Sequence, residues 1–239
     1  MSSRSSVWLL GRDFPELGPV GIVANARGGA LALSRGRYPK PYDHVDPNED
    51  AALLVQSRAG TLLAVTDGYN GAAASELAIQ RLRETAGALL VKDPQRFESA
   101  FIELATGVTR ELESAHRSRT CIVLIAAMGE TCHVASFGDS AAFRAGDPEP
   151  LVPPNEFVLG QLHPGWRAEL FATHFHRGSG ERLAVVTDGV TNFTQKPGSI
   201  SRCLAESDTD LEAARQIACT ALDGGAGDNV AVVTCSGHD

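Results

Sequence analysis

The sequence predicts an α+β fold with antiparallel sheets, and three observations carry that prediction. Short apolar runs are joined by turns of hairpin length, the helical stretches are grouped rather than set between every two strands, and 43% of the 239 residues are apolar. Strands that follow one another through short turns pair antiparallel, whereas a doubly wound parallel sheet needs a crossover between each pair. The length fits one domain spanning residues 1–239, with enough apolar material for a sizeable core.

The first fifty residues hold short apolar pieces such as Val20-Gly21-Ile22-Val23-Ala24, broken by Gly, Pro and Arg, which read as an edge strand and loop. From Ser34 to Asn48 the prolines Pro39, Pro41 and Pro47 forbid a helix, and the stretch reads as a surface loop. Ala51 to Gln56 and Thr61 to Thr66 are apolar runs joined by Ser57-Arg58-Ala59-Gly60, the spacing of a β-hairpin whose second strand Asp67 closes. Ala73, Leu77, Ala78, Leu82 and Ala86 then recur at helical spacing among good helix formers, predicting a helix from Ala72 to Leu90. A second helix is predicted from Pro94, a favoured first-turn residue, to about His116, with Phe97, Phe101, Leu104, Val108 and Leu112 as its apolar stripe. Runs at 120–128, 132–137 and 141–144, separated by tight turns, read as a β-meander. A proline-rich loop follows over 146–165. Strands are predicted over 166–176 and 181–187, a helix over 210–222 and a last strand over 229–235. No internal repeat or low-complexity segment is present.

A net charge of -8 with only scattered arginines excludes a basic stripe for a nucleic-acid backbone. The five cysteines, Cys121, Cys132, Cys203, Cys219 and Cys235, show no metal-knuckle spacing, and most lie in apolar stretches as expected of reduced, buried thiols. With no run long enough to cross a bilayer and no signal-type N-terminus, the expected location is cytoplasmic, with no membrane or nucleic-acid partner.

Chemistry is concentrated in a repeated pattern. The apolar runs Leu62 to Thr66 and Leu183 to Thr187 each end on Asp-Gly, at Asp67-Gly68 and Asp188-Gly189, and Gly227-Asp228-Asn229 leads into Val230-Ala231-Val232-Val233. The pair Glu49-Asp50 precedes the first hairpin strand, and Gly138-Asp139-Ser140 sits in the meander. One Asp-Gly alone is a turn former. Several carboxylates at strand ends make an oxygen-rich ligand set of the kind that hard cations such as Mg2+ or Mn2+ prefer. Other motifs read as structural. His174 and His176 share a strand face but lack a third ligand at metal spacing, and His133 reads as a sheet histidine. Gly224-Gly225-Ala226-Gly227 follows a helix without the Lys-Ser/Thr ending of a phosphate loop.

In order along the chain, these motifs resemble the type-2C metal-dependent protein phosphatases, also called PPM phosphatases. Asn48-Glu49-Asp50 resembles the family's opening acidic motif. Asp67-Gly68-Tyr69-Asn70-Gly71, followed by Ala74-Ser75, resembles its Asp-Gly-x-x-Gly-x-x-Ala-Ser signature. Gly138-Asp139-Ser140, Thr187-Asp188-Gly189 and Gly227-Asp228-Asn229 resemble its three later motifs. The match runs from about residue 48 to residue 235.

The resemblance implies a four-layer αββα sandwich, two antiparallel sheets flanked by helices, with two divalent cations, Mn2+ or Mg2+, at one edge. Carried over by position, Asp67, Asp188 and Asp228 ligate the first ion, and Asp67 bridges to the second. Glu49, Asp50 and the Gly68 carbonyl serve that second ion, partly through water, and Asp139 matches a residue that helps hold a third ion in some members. The implied activity is hydrolysis of phosphoserine or phosphothreonine on a phosphoprotein, in signalling with a serine/threonine kinase, by water activated between two cations.

The chain departs from the family in three places. Residues 1–47 are divergent, and Val45 stands where the family carries an arginine for the substrate phosphate, leaving Arg37, Lys40 and His44 as candidates for that role. Tyr69 replaces a histidine that many eukaryotic members use and bacterial members commonly lack. The segment 147–180, where a flap is usual, is short and proline-rich. Two further classes fit these departures: a pseudophosphatase that keeps fold and metals as a binding module, and a small-molecule phosphomonoesterase.

Overall fold

The computed structural model describes residues 4–115, 117–160, 166–194, 196 and 198–237. In chain order the described elements are β1 (Ser5–Leu10), β2 (Gly21–Ala24), β3 (Ala30–Ser34), β4 (Ala51–Ser57), β5 (Gly60–Tyr69), α1 (Ala73–Leu89) and α2 (Pro94–Ala115). There follow β6 (Arg119–Met128), β7 (Thr131–Phe137), β8 (Ala141–Arg144), β9 (Phe171–His176), β10 (Leu183–Val186), α3 (Asp188–Thr191), α4 (Ser199–Glu206), α5 (Asp210–Asp223) and β11 (Val230–Cys235).

The strands form two antiparallel sheets, ordered β1-β4-β5-β6-β7-β9 and β2-β3-β11-β10-β8. Leu31, Leu33, Leu54, Leu63, Val65, Ile125, Val185 and Val233 interdigitate between them in one apolar layer. The opposite face of the first sheet, with Leu53, Val55, Leu62 and Ile122, packs under α1 and α2. The opposite face of the second, with Ala32, Val186 and Val232, packs under α4 and α5. The result is the four-layer αββα sandwich of an α+β protein. Because both faces of each central strand are covered, β5, β6 and β11 are apolar almost throughout rather than alternating, the cause of their long hydrophobic runs.

Several sequence expectations are corrected. The meander breaks after β7: β8 pairs with β10 in the other sheet, so Gly138-Asp139-Ser140 is the crossing between sheets. Gly138 has φ +115°, and a side chain there would meet Cys121 Sγ at 2.3 Å. Asp67 does not end its strand, because β5 continues to Tyr69, with Asp67 opposite Cys121 in β6. Trp166–Glu169 is a 3-10 turn, and the strand starts at Phe171. Residues 1–47 supply three strands, of which β3 is interior to its sheet. The short helices α3 and α4 were not expected. His116, the predicted end of α2, and 161–165, within the predicted loop, lie outside the described residues. Cys121, Cys132 and Cys235 are buried, while Cys219 is exposed.

Candidate metal centre

The architecture gathers the acidic motifs at one edge. β4 begins and β5 ends there, so Glu49-Asp50 and Asp67-Gly68 lie on neighbouring strands, paired at Ala51 and Thr66. β10 ends and β11 begins at the same edge, adding Asp188 and Asp228. The glycines allow this approach. A side chain on Gly68 would meet the Glu49 carbonyl at 2.3 Å, and one on Gly189 would meet the Asn229 carbonyl at 1.8 Å. Gly189 is the second residue of α3 and lies hard against the β11 entry. Ser75 of α1 ties the first helix to the acidic motif by donating to the Glu49 carbonyl.

Asp50 is 1% exposed, and its Oδ2 accepts the Thr187 hydroxyl at 2.8 Å while its Oδ1 is buried with no partner. Burial, helped by the Asp228 and Asp188 charges and opposed by Lys40, pushes Asp50 up to about 8. Burial and the carboxylates of Asp50 and Asp188 hold Asp67 well above the usual carboxylate range. Asp188 is pushed up to about 6, chiefly by burial, with the Asp139 and Asp228 charges adding to it. Asn192 Nδ2, one turn along α3, donates to Asp188 Oδ2 at 2.9 Å. Asp139 is exposed on the rim.

Glu49, also 1% exposed, is fully engaged. Its Oε1 accepts the backbone N–H groups of Gly71 at 2.6 Å and of Val45 and Asp46 at 3.2 Å, and its Oε2 accepts Lys40 Nζ at 3.3 Å. Asp228 receives Lys40 Nζ at 3.2 Å and the Asn229 N–H at 2.7 Å on Oδ1, and the Tyr42 hydroxyl at 2.8 Å on Oδ2. Of the three candidate phosphate groups, Lys40 is buried among these acids, Arg37 is exposed and pairs with Asp223 at 3.6 Å, and His44 is half-buried with Nδ1 3.1 Å from the Tyr42 carbonyl. Val45 is 71% exposed.

The donor set is all oxygen, and it includes a buried carboxylate oxygen without a partner, which fits a hard divalent cation. Among the described residues, no group of three or more His, Cys, Asp or Glu side chains is positioned to hold a metal ion. Lys40 lies against two of these acids, Glu49 and Asp228. Burial alone would lower its proton affinity, but Asp50, Asp228 and Glu49 outweigh that and keep the ammonium charged.

Four participants carry no role in the sequence reading. Thr187 and Asn229 lie inside the motifs: Asn229 accepts the Glu49 N–H at 2.9 Å and donates to the Arg35 and Pro47 carbonyls. Asn192 stands one helical turn after Asp188, a spacing that only a helix there makes meaningful. Tyr42 was readable through Pro39-Lys40-Pro41-Tyr42, since residues before proline are extended and residues two apart in extended chain share a side.

Comparison with solved structures identifies the architecture. The chain matches the catalytic domain of the serine/threonine protein phosphatase PstP, solved in complex with two manganese ions, at TM-score 0.70 over 92% of this chain and 100% of that one, with 19% identity. The fold is that of the PPM phosphatases. The PPM Ser-Thr phosphatase MsPP from Mycobacterium smegmatis, solved with cacodylate, matches at TM-score 0.65 and 23% identity over 89% of this chain and 99% of that one. PppA, a regulatory component of T6SS in Pseudomonas aeruginosa, matches at TM-score 0.68 and 21% identity over 91% and 100%. No protein-family model and no curated protein matches the sequence. The likeness therefore lies in spatial arrangement and in a few ordered motifs, not in similarity along the whole sequence.

Proposed function

We propose that this chain is a divalent-metal-dependent phosphatase that hydrolyses phosphoserine or phosphothreonine on proteins phosphorylated by a serine/threonine kinase. The supporting observation is that Asp50, Asp67 and Asp188 are brought to one sheet edge with Asp50 Oδ1 buried and unpartnered, in the PPM fold. Asp67, Asp188 and Asp228 would hold one ion. Asp67, the Gly68 carbonyl and, partly through water, Glu49 and Asp50 would hold a second, with Asp139 at the rim for a third. Bound divalent cations supply Lewis-acid chemistry, lowering the pKa of a water and neutralising phosphoryl oxygens. The chain's own contribution is orientation. Thr187 fixes Asp50 through Oδ2, and Asn192 fixes Asp188 through Oδ2, leaving the other oxygen of each for ligation.

A cleft of about 480 Å3 opens beside Asp139 and Asp188, walled by Phe143, Pro148, Pro150 and Pro154 with Lys196 at its side. Its apolar walls suit the residues flanking a phosphorylated side chain better than a free small ester. A larger cleft, about 710 Å3 along Trp8 and Arg83, contains none of the acidic cluster.

The test is Mn2+-dependent hydrolysis of p-nitrophenyl phosphate and of a phosphothreonine peptide by the wild type and Asp188→Asn. Turnover abolished by the substitution and by chelation, with the peptide preferred, is the expected result; preference for the small ester would reassign the substrate. The second reading, a pseudophosphatase, draws on exposed Val45 in place of a phosphate-binding arginine. A folded wild type that binds Mn2+ and turns over neither compound would establish it.

A further inference from the structure

Lys40, a sequence candidate for the substrate phosphate, instead has a side chain 2% exposed that lies between two of the proposed ligands. Its segment is built to put it there. Gly36, at φ +103°, lies so close to the Asp228 carbonyl that a side chain would meet that oxygen at 2.3 Å, and the N–H groups of Arg37 and Tyr38 both donate to the Ala226 carbonyl. At the other end, Val45 and Asp46 donate to Glu49, and Asp46 Oδ2 accepts the Ala72 N–H at the start of α1 at 2.8 Å. Between these anchors, the prolines at 39 and 41 stiffen the chain, and Lys40 and Tyr42 reach Asp228 together.

We infer that the 36–46 segment is a latch: Lys40 and Tyr42 hold Asp228, and Lys40 holds Glu49, so a divalent cation that takes Asp228 competes with the Lys40 ammonium and loosens the segment that carries it and Tyr42. The inference rests on the metal reading of this edge. Asp228 Oδ1 pairs with the Lys40 ammonium and accepts the Asn229 N–H, Oδ2 accepts the Tyr42 hydroxyl, and an ammonium and a divalent cation at one carboxylate repel each other. Metal loading and strap release are therefore one equilibrium. The apparent affinity for the ion is reduced by the fraction of molecules with the latch open.

Calorimetric titration with Mn2+ tests this on the wild type, Lys40→Met and Tyr42→Phe. We expect Lys40→Met to bind Mn2+ about ten-fold more tightly, and Tyr42→Phe, which changes no charge, to bind it about three-fold more tightly, because each raises the open fraction. In the unmodified protein, acylation of Lys40 by an amine-reactive ester, followed by peptide mass mapping, should be slow without Mn2+ and fast at saturating Mn2+. Unchanged or weaker binding by both folded variants overturns the latch, as does a Lys40 that stays protected at saturating Mn2+. If Lys40→Met does not fold, the acylation measurement decides alone. If no form of the protein binds Mn2+, the metal reading falls and the latch with it.

Discussion

Asp50 and Asp210 are both buried aspartates, at 1% and 8% exposure, set at opposite ends of the sandwich, and their protons respond in opposite directions. Asp210 opens α5 beyond the far ends of β10 and β11, where its carboxylate accepts the Gly29 N–H at 2.8 Å, Arg182 Nε at 2.8 Å and the Ser236 hydroxyl at 2.9 Å. Burial pushes it up, but those bonds outweigh burial and hold it below the usual carboxylate range. Asp50 has one hydroxyl donor and other carboxylates for neighbours, and is pushed up to about 8. The difference lies in the donors: Asp210 is surrounded by them and keeps its charge, while Asp50 is kept short of them and has a lone pair left over.

The largest effect expected from breaking this comparison is at the satisfied end. Arg182→Ala removes the charged partner of Asp210 together with donors to the Leu204 and Ser207 carbonyls, and should cost about 3 kcal/mol in denaturant unfolding while leaving hydrolysis intact. The pH dependence has a definite sign. Because Asp210's folded pKa is depressed, its stabilisation is full above the unfolded value of about 3.9 and is lost as pH falls through the folded one. The stability gap between wild type and Asp210→Asn should therefore hold near neutrality and close below about pH 4, which acid unfolding curves would reveal.

At the unsatisfied end the expected signs reverse. Asp67→Asn replaces a carboxyl whose charged form burial and the Asp50, Asp188 and Asp139 carboxylates disfavour, so the metal-free protein should melt at the same or a higher temperature while Mn2+-dependent hydrolysis falls by about 100-fold or more. A metal-free variant that melts lower than wild type would mean that Asp67 is a scaffold residue like Asp210. The smallest effect belongs to the glycine that lets the edge close. Gly68→Ala places a carbon 2.3 Å from the Glu49 carbonyl, and should cost about 1–3 kcal/mol by pushing β4 and β5 apart, with a parallel loss of Mn2+ affinity by titration.

The legible parts of the fold are those with strong local signals. α1, α2 and α5 were readable because alanine, leucine and periodic apolar stripes carry a helix without tertiary help, and the β4–β5 hairpin because its turn length constrains it. The short run of β8 carries no mark of its partner, so its exchange of sheets was invisible. α3 and α4 are too short to show periodicity. The 36–46 segment has the prolines and charges of a surface loop, and composition cannot show that one of those charges is turned inward onto acids nine and 188 residues away.

By itself, then, the sequence determined the class of the fold, the order of the acidic motifs and the oxygen-rich chemistry they offer, since residue type and local spacing are enough for each. Tertiary structure alone decided that β10 ends and β11 begins where β4 begins and β5 ends, that Asp50 keeps a buried oxygen unpartnered, and that Lys40 closes on Asp228. Those depend on which surfaces pack together. Packing is a property of the whole chain, because a carboxylate's neighbours, and with them its charge and its task, come from strands remote in sequence.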